Sequence, residues 1–154
     1  MASEQSYTIT LSNNRTEKAA IDYLLAVDNR FWVPDSSSRK SILALLGVRG
    51  GLSRAFDLVL AHDHAVGESG LAAADVESVT LVELKTTRKY LPDLPRGFFF
   101  GATQNEFDLA AELGDRFRFC FVCLHPDSPG FCLLTIAELE LLVRSKRTQF
   151  QINL

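Results

Sequence analysis

The chain has 154 residues, 47% of them hydrophobic and 23% charged, with a formal net charge of −3. That is enough for one domain with a real core, 1–154, and the balance excludes disordered and fibrous classes. No apolar run approaches the roughly 18–20 residues that span a bilayer, and MASEQSYTIT has neither the basic patch nor the apolar core of a signal peptide. A cytoplasmic protein without membrane contact is expected.

In chain order, TEKAAIDYLLAVD (16–28) predicts an amphipathic helix capped by Asn14 or Thr16, with Ala19, Ala20, Tyr23, Leu24 and Val27 on one face. Arg30 to Pro34 reads as extended and DSSS as a loop. SILALLGV (41–48) fits either a short helix or a buried segment, ended by Gly50 and Gly51. AFDLVLAH (55–62) and SVTLVELKTT (78–87) read as strands, joined by a polar, acidic connection that carries His62 and His64. After the Pro-punctuated YLPDLPRG and the apolar FFFGA, TQNEFDLAAELGD is a helix with capping-box spacing from Thr103 to Glu106 and a Gly114 stop. RFRFCFVCLH (116–125) and FCLLTI are strands, a second T-x-x-E at Thr135 opens AELELLVRSK as a helix, and QFQINL closes in extended form. The order predicts an α/β or α+β fold, a mixed central sheet flanked by helices.

Two charged features stand out against apolar surroundings. Glu83 and Lys85 lie in the middle of one strand, on the same face because strand side chains alternate. Asp57 interrupts the other strand in the same manner. If the two strands form a hairpin symmetric about Gly70, residue 57 opposes residue 83, with Cβ atoms roughly 4.5–5.5 Å apart. Carboxylates that close repel unless a proton or cation lies between them. Asp57, Glu83 and the backbone carbonyl of Leu84 make a hard oxygen donor set suited to Mg²⁺ or Mn²⁺. Lys85 beside it suits a water-orienting role in metal-assisted phosphodiester hydrolysis.

Other features carry less. CFVC has the spacing of a zinc half-site, but Cys120 and Cys123 fall on opposite faces of a strand and no second pair exists, so buried free thiols are expected, Cys132 included. The mild net acidity does not advertise nucleic-acid binding. Local cationic clusters exist at Arg39/Lys40, Arg88/Lys89, Arg116/Arg118 and Arg144/Lys146/Arg147, and eleven of the sixteen cations are Arg, the better bidentate phosphate ligand. Glu106 is accounted for by its capping box, and Glu83 with Lys85 by a plain ion pair, if no chemistry is involved.

Asp57 followed by Glu83-Leu84-Lys85 on the next strand resembles the PD-(D/E)xK nuclease superfamily, the restriction-endonuclease-like fold. The likeness covers most of the chain. The run ELKTT…FFFGATQNEFDLAAELGDRFRFCFV is similar to the variant found in restriction and defence proteins and in the C-terminal domain of the plant protein NO VEIN. The resemblance implies a Mg²⁺- or Mn²⁺-dependent endonuclease acting on DNA, in restriction, defence or DNA processing. Asp57 and Glu83 would be metal ligands, Lys85 catalytic, and the products a 5′-phosphate and a 3′-hydroxyl. It further implies that the helix start at Gln104 to Glu106 lines the site and that Glu17 is an accessory acid. Thr86, Thr87, Arg88 and Lys89 leave the sheet where a phosphate backbone would run, and a homodimer would let so small an enzyme cut both strands. Phe56 stands where the family has Pro. The rival readings are a non-cleaving nucleic-acid-binding or scaffold subunit that keeps the fold, and a structure-specific, junction-resolving nuclease.

Overall fold

A five-stranded mixed sheet organises the fold; the computed structural model describes the backbone of residues 2–61 and 79–154 and the side chains of residues 15–61 and 79–154. The elements are α1 (Ala2–Val27), β1 (Phe31–Trp32), α2 (Ser36–Leu45), β2 (Leu58–Ala61), β3 (Val79–Thr87), α3 (Gln104–Leu113), β4 (Phe117–Cys123), β5 (Gly130–Leu134) and α4 (Ile136–Leu142). Strands follow one another across the sheet in chain order. Only β3 and β4 run parallel; every other neighbouring pair is antiparallel. A parallel pair needs a crossover, and residues 88–116, with α3 among them, supply it.

The strand sequences dictate two buried faces. Odd residues of β3 and β4 (Val79, Leu81, Phe117, Phe119, Phe121) pack with Val59 against Ile42 and Leu43 of α2, Leu109 and Ala110 of α3, and Leu139 of α4. Even residues (Val82, Leu84, Cys120, Val122) pack with Leu58 and Leu60 against Ala20 and Leu24 of α1. With both faces covered, β3 and β4 read as near-continuous apolar runs, the usual signature of strands buried on both sides. The result is an α/β architecture with one helix on one face of the sheet and three on the other.

Several elements depart from expectation. α1 begins at Ala2, so Asn14 and Thr16 lie within it rather than at its start; no Pro or Gly interrupts residues 2–27. Its inward face is Ala20, Ile21, Tyr23 and Leu24, whereas Val27 at the last turn is exposed. DSSS is a helix start rather than a loop: Asp35 N-caps α2, its carboxylate accepting the Ser38 N–H at 2.8 Å. β2 is shorter than its apolar run, and Asp57 stands just ahead of it rather than in its middle. QFQINL joins no strand among the described residues and is exposed. Thr103 and Thr135 both form the expected capping boxes, and Gly114 closes α3 with φ 55°. The connection 62–78, with His62 and His64, lies outside the described residues. No helix among the described residues is long and apolar enough to cross a membrane.

Candidate active site

β3 places Glu83 and Lys85 on the face that packs against α2, α3 and α4, where Glu83 is 8% and Lys85 9% exposed. Across the parallel ladder Glu83 is registered with Phe119 and Lys85 with Phe121. Phe98 and Phe100, from the crossover, each pack edge-on against Phe121 at 5.0 Å, and the Lys85 ammonium lies 5.9 Å from the Phe100 ring centroid. The amine is buried, with the Phe100 ring beside it, so Lys85 needs anionic partners. It has two: Glu106 Oε1 at 2.6 Å and Glu83 Oε1 at 3.3 Å.

Glu106 comes from the first turn of α3 and is 5% exposed. One carboxylate oxygen takes the Lys85 ammonium, and the other accepts the Thr103 N–H that closes the capping box. A negative charge in that turn is also favoured by the helix dipole.

Asp57 meets the same group from β2. The β2–β3 register pairs Leu58 with Val82, so one step further sets Asp57 opposite Glu83, the pairing expected if the hairpin is symmetric about Gly70. Asp57 is tied to β3 on both sides of Glu83: its N–H donates to the Val82 carbonyl and its Oδ2 accepts the Leu84 N–H, each at 2.8 Å. Arg39 of α2 clamps the approach, donating to the carbonyls of Phe56 (2.8 Å), Asp57 (3.4 Å) and Pro34 (3.3 Å). Its guanidinium rests 5.6 Å from the ring centroid of Phe56, which is wholly buried, so the residue at the Pro position is a core anchor. Glu17 of α1 is half-buried. Burial and then the charge of Asp57 raise its pKa, while Arg39 and Lys85 draw it down, which sets its carboxyl within electrostatic reach of all three.

The acids cannot all be ionised. Burial first, then a hydrogen bond to Glu106 and the charge of Asp57, push Glu83 up to about 11. Burial acts against ionisation of Glu106 too, but hydrogen bonds from Glu83, Lys85 and the Thr103 N–H outweigh it and leave Glu106 at about 2. Burial and its acidic neighbours therefore favour the protonated form of Glu83 at neutral pH, beside a Glu106 carboxylate that carries the Lys85 ammonium. As a carboxylate, Glu83 would leave its buried Oε2 without any donor.

That orphaned oxygen tests whether a divalent cation suits the residues present. No group of three or more His, Cys, Asp or Glu side chains able to hold a metal occurs among the described residues. Two carboxylates do converge, Asp57 and Glu83, with the Leu84 carbonyl between Glu83 and Lys85. Mg²⁺ is commonly held by one or two carboxylates, the remaining positions going to water and substrate phosphate. A cation in place of the Glu83 proton would satisfy Oε2 and relieve the repulsion from Asp57. The donor set fits such an ion.

Other anticipated residues stand apart. Gln104 is exposed and donates to Asp108 Oδ1 at 2.8 Å, one turn along α3, rather than facing the cluster. Thr86 and Thr87 are half-buried at the end of β3; Arg88 and Lys89 beyond them are exposed, and Arg88 Nε donates to Thr16 of α1 at 3.3 Å. Arg144, Lys146 and Arg147 follow α4 on exposed chain, with Lys146 over the Phe107 ring at 4.8 Å. Cys120 and Cys123 are buried free thiols and Cys132 a half-buried one. Two residues in the cluster were not anticipated in their roles. Arg39 was marked only as part of a cationic cluster, not as a clamp on the Asp57 segment. Glu106 was expected as a cap and, from the resemblance, near the site, but not as the partner of Lys85, though a buried Lys85 demands a counter-charge and Glu106 is the acid nearest the start of the crossover helix. No protein-family model, curated protein or solved structure matches the chain.

Proposed function

We propose that the protein is a metal-dependent endonuclease of the PD-(D/E)xK type, with a restriction-endonuclease-like fold, that hydrolyses DNA phosphodiester bonds. The observation carrying this is the convergence of Asp57, fastened to β3 on both sides of Glu83, with Glu83 and Lys85 on one buried face. An ion pair on a solvated sheet would need none of that burial. Mg²⁺ or Mn²⁺ held by Asp57, Glu83 and the Leu84 carbonyl supplies Lewis acidity toward a phosphodiester oxygen. Lys85, whose ammonium carries three donors, orients the attacking water. The cluster of Phe98, Phe100 and Phe121, whose Phe100 ring lies beside Lys85, lowers the local dielectric and so strengthens these interactions. Glu17 adds negative potential on the α1 side. Arg88 and Lys89, exposed just past β3, would meet a DNA backbone there, and two copies acting together would cut both strands.

The experiment is incubation of duplex DNA with wild type and Lys85→Met in Mn²⁺, with circular dichroism as the folding control. Wild type cuts and the folded variant does not; equal cutting by both refutes the mechanism.

One observation favours a scaffold instead: Lys85 is held at 2.6 Å by Glu106, in a chain of net charge −3. Under that reading wild type binds no Mn²⁺, with or without DNA.

A further inference from the structure

Two T-x-x-E capping boxes open helices, and their difference is informative. In both, the Thr side chain accepts the Glu N–H and the Glu carboxylate accepts the Thr N–H. Glu138 does this at the surface, with a side chain 51% exposed and Arg118 at 3.2 Å. Glu106 does it buried, and its second oxygen reaches across to Lys85. Helix capping explains Glu138. It does not explain why Glu106 spends an oxygen on a strand residue twenty-one positions earlier.

We propose that Glu106 is a positioning residue that holds the Lys85 ammonium off Glu83, keeping the Glu83 carboxylate open to a divalent cation. This rests on the nuclease reading above. Lys85 is closer to Glu106 (2.6 Å) than to Glu83 (3.3 Å), and among the described residues it has no third anionic partner within ion-pair distance. A buried ammonium does not remain unpaired. Without the Glu106 charge, Lys85 closes on Glu83 and competes with the cation for the same oxygens. Glu106 cannot follow Lys85 toward Glu83, because its other oxygen is fixed to the Thr103 N–H at the start of α3. The helix end thereby sets how the lysine divides itself between two acids.

Gln at the third helical position also completes a capping box, so Glu106→Gln keeps the cap and removes the charge. The test is calorimetric titration of Mn²⁺, in the presence of duplex DNA, into wild type, E106Q, K85M, the K85M/E106Q double variant and E138Q, with a thermal melt of each. E106Q is expected to fold, to melt below wild type because a buried ion pair is lost, and to bind Mn²⁺ at least tenfold more weakly, while E138Q binds as wild type. Since Glu106 acts through Lys85, K85M/E106Q is expected to bind within about threefold of K85M, an interaction visible only in the cycle.

E106Q binding as tightly as wild type overturns the proposal and leaves Glu106 a cap. So does a double variant that falls as far below K85M as E106Q falls below wild type, since Glu106 would then act on the cation directly. If E106Q does not fold, the comparison of K85M with the double variant decides the same point. Wild type that binds no Mn²⁺ overturns the nuclease reading itself, and this inference with it.

Discussion

Replacing Glu83 by Gln should stabilise the protein increasingly as pH rises. Glu83 sits at about 11 in the fold, against an ordinary 4.5, because burial, Glu106 and Asp57 oppose its charge. A raised folded pKa gives stability that is complete below the unfolded value and is lost as pH climbs toward the folded one. Between pH 6 and 8 the folded chain holds a proton at Glu83 that the unfolded chain releases. Linkage then sets a slope of up to about 1.4 kcal/mol per pH unit. Over two units wild type loses at most ~3 kcal/mol relative to E83Q, which carries no titrating group there. For a chain of this length that corresponds to roughly 6–12 °C in relative Tm. Glu106 does not tilt this window: its lowered pKa gives stability present above the ordinary value and lost only as pH falls through about 2. Glu17, raised in the same direction as Glu83, is common to both proteins and largely cancels in the difference. The assay is urea unfolding at pH 6, 7 and 8 in EDTA, since a bound cation would displace the proton. Parallel stability curves would refute the shared-proton picture and place an ionised Glu83 in the core.

Two further outcomes are expected. Asp57→Ala should abolish calorimetric Mn²⁺ binding and, by leaving the Leu84 N–H without its carboxylate acceptor, cost about 1–2 kcal/mol in urea; retained binding would remove Asp57 from the ligand set. Phe121→Ala, at a fully buried ring contacted by Phe98 and Phe100, should cost about 3–5 kcal/mol. It should also speed tryptic cleavage at Arg96 in the crossover; unchanged cleavage would mean the crossover is held elsewhere.

What the sequence made legible follows from how locally each feature is determined. The Asp57–Glu83 juxtaposition followed from assuming a hairpin symmetric about Gly70, and the Leu58–Val82 pairing matches that register; strands apolar on both faces would not by themselves have fixed it. α3 announced itself by its box and its glycine. DSSS was misread because Asp and Ser serve turns and N-caps alike, and only the tertiary placement of Ile42 and Leu43 decides between them. Phe150, Ile152 and Leu154 alternate like a strand, yet a strand exists only against a partner, and none adjoins them among the described residues. Arg39 bonding three backbone carbonyls, and Glu106 holding Lys85, are long-range choices that no window of sequence contains.

The phenylalanines behind Lys85 have an effect beyond packing. Coulomb energy between unit charges 4 Å apart is about 1 kcal/mol in water and about 4 kcal/mol at an effective dielectric of 20. Walled by Phe100 and Phe121, Glu83, Lys85, Glu106 and Asp57 influence one another through hydrocarbon instead of solvent. Single substitutions within the set therefore will not add. The energetic unit of this site is the quartet of side chains rather than any one of them.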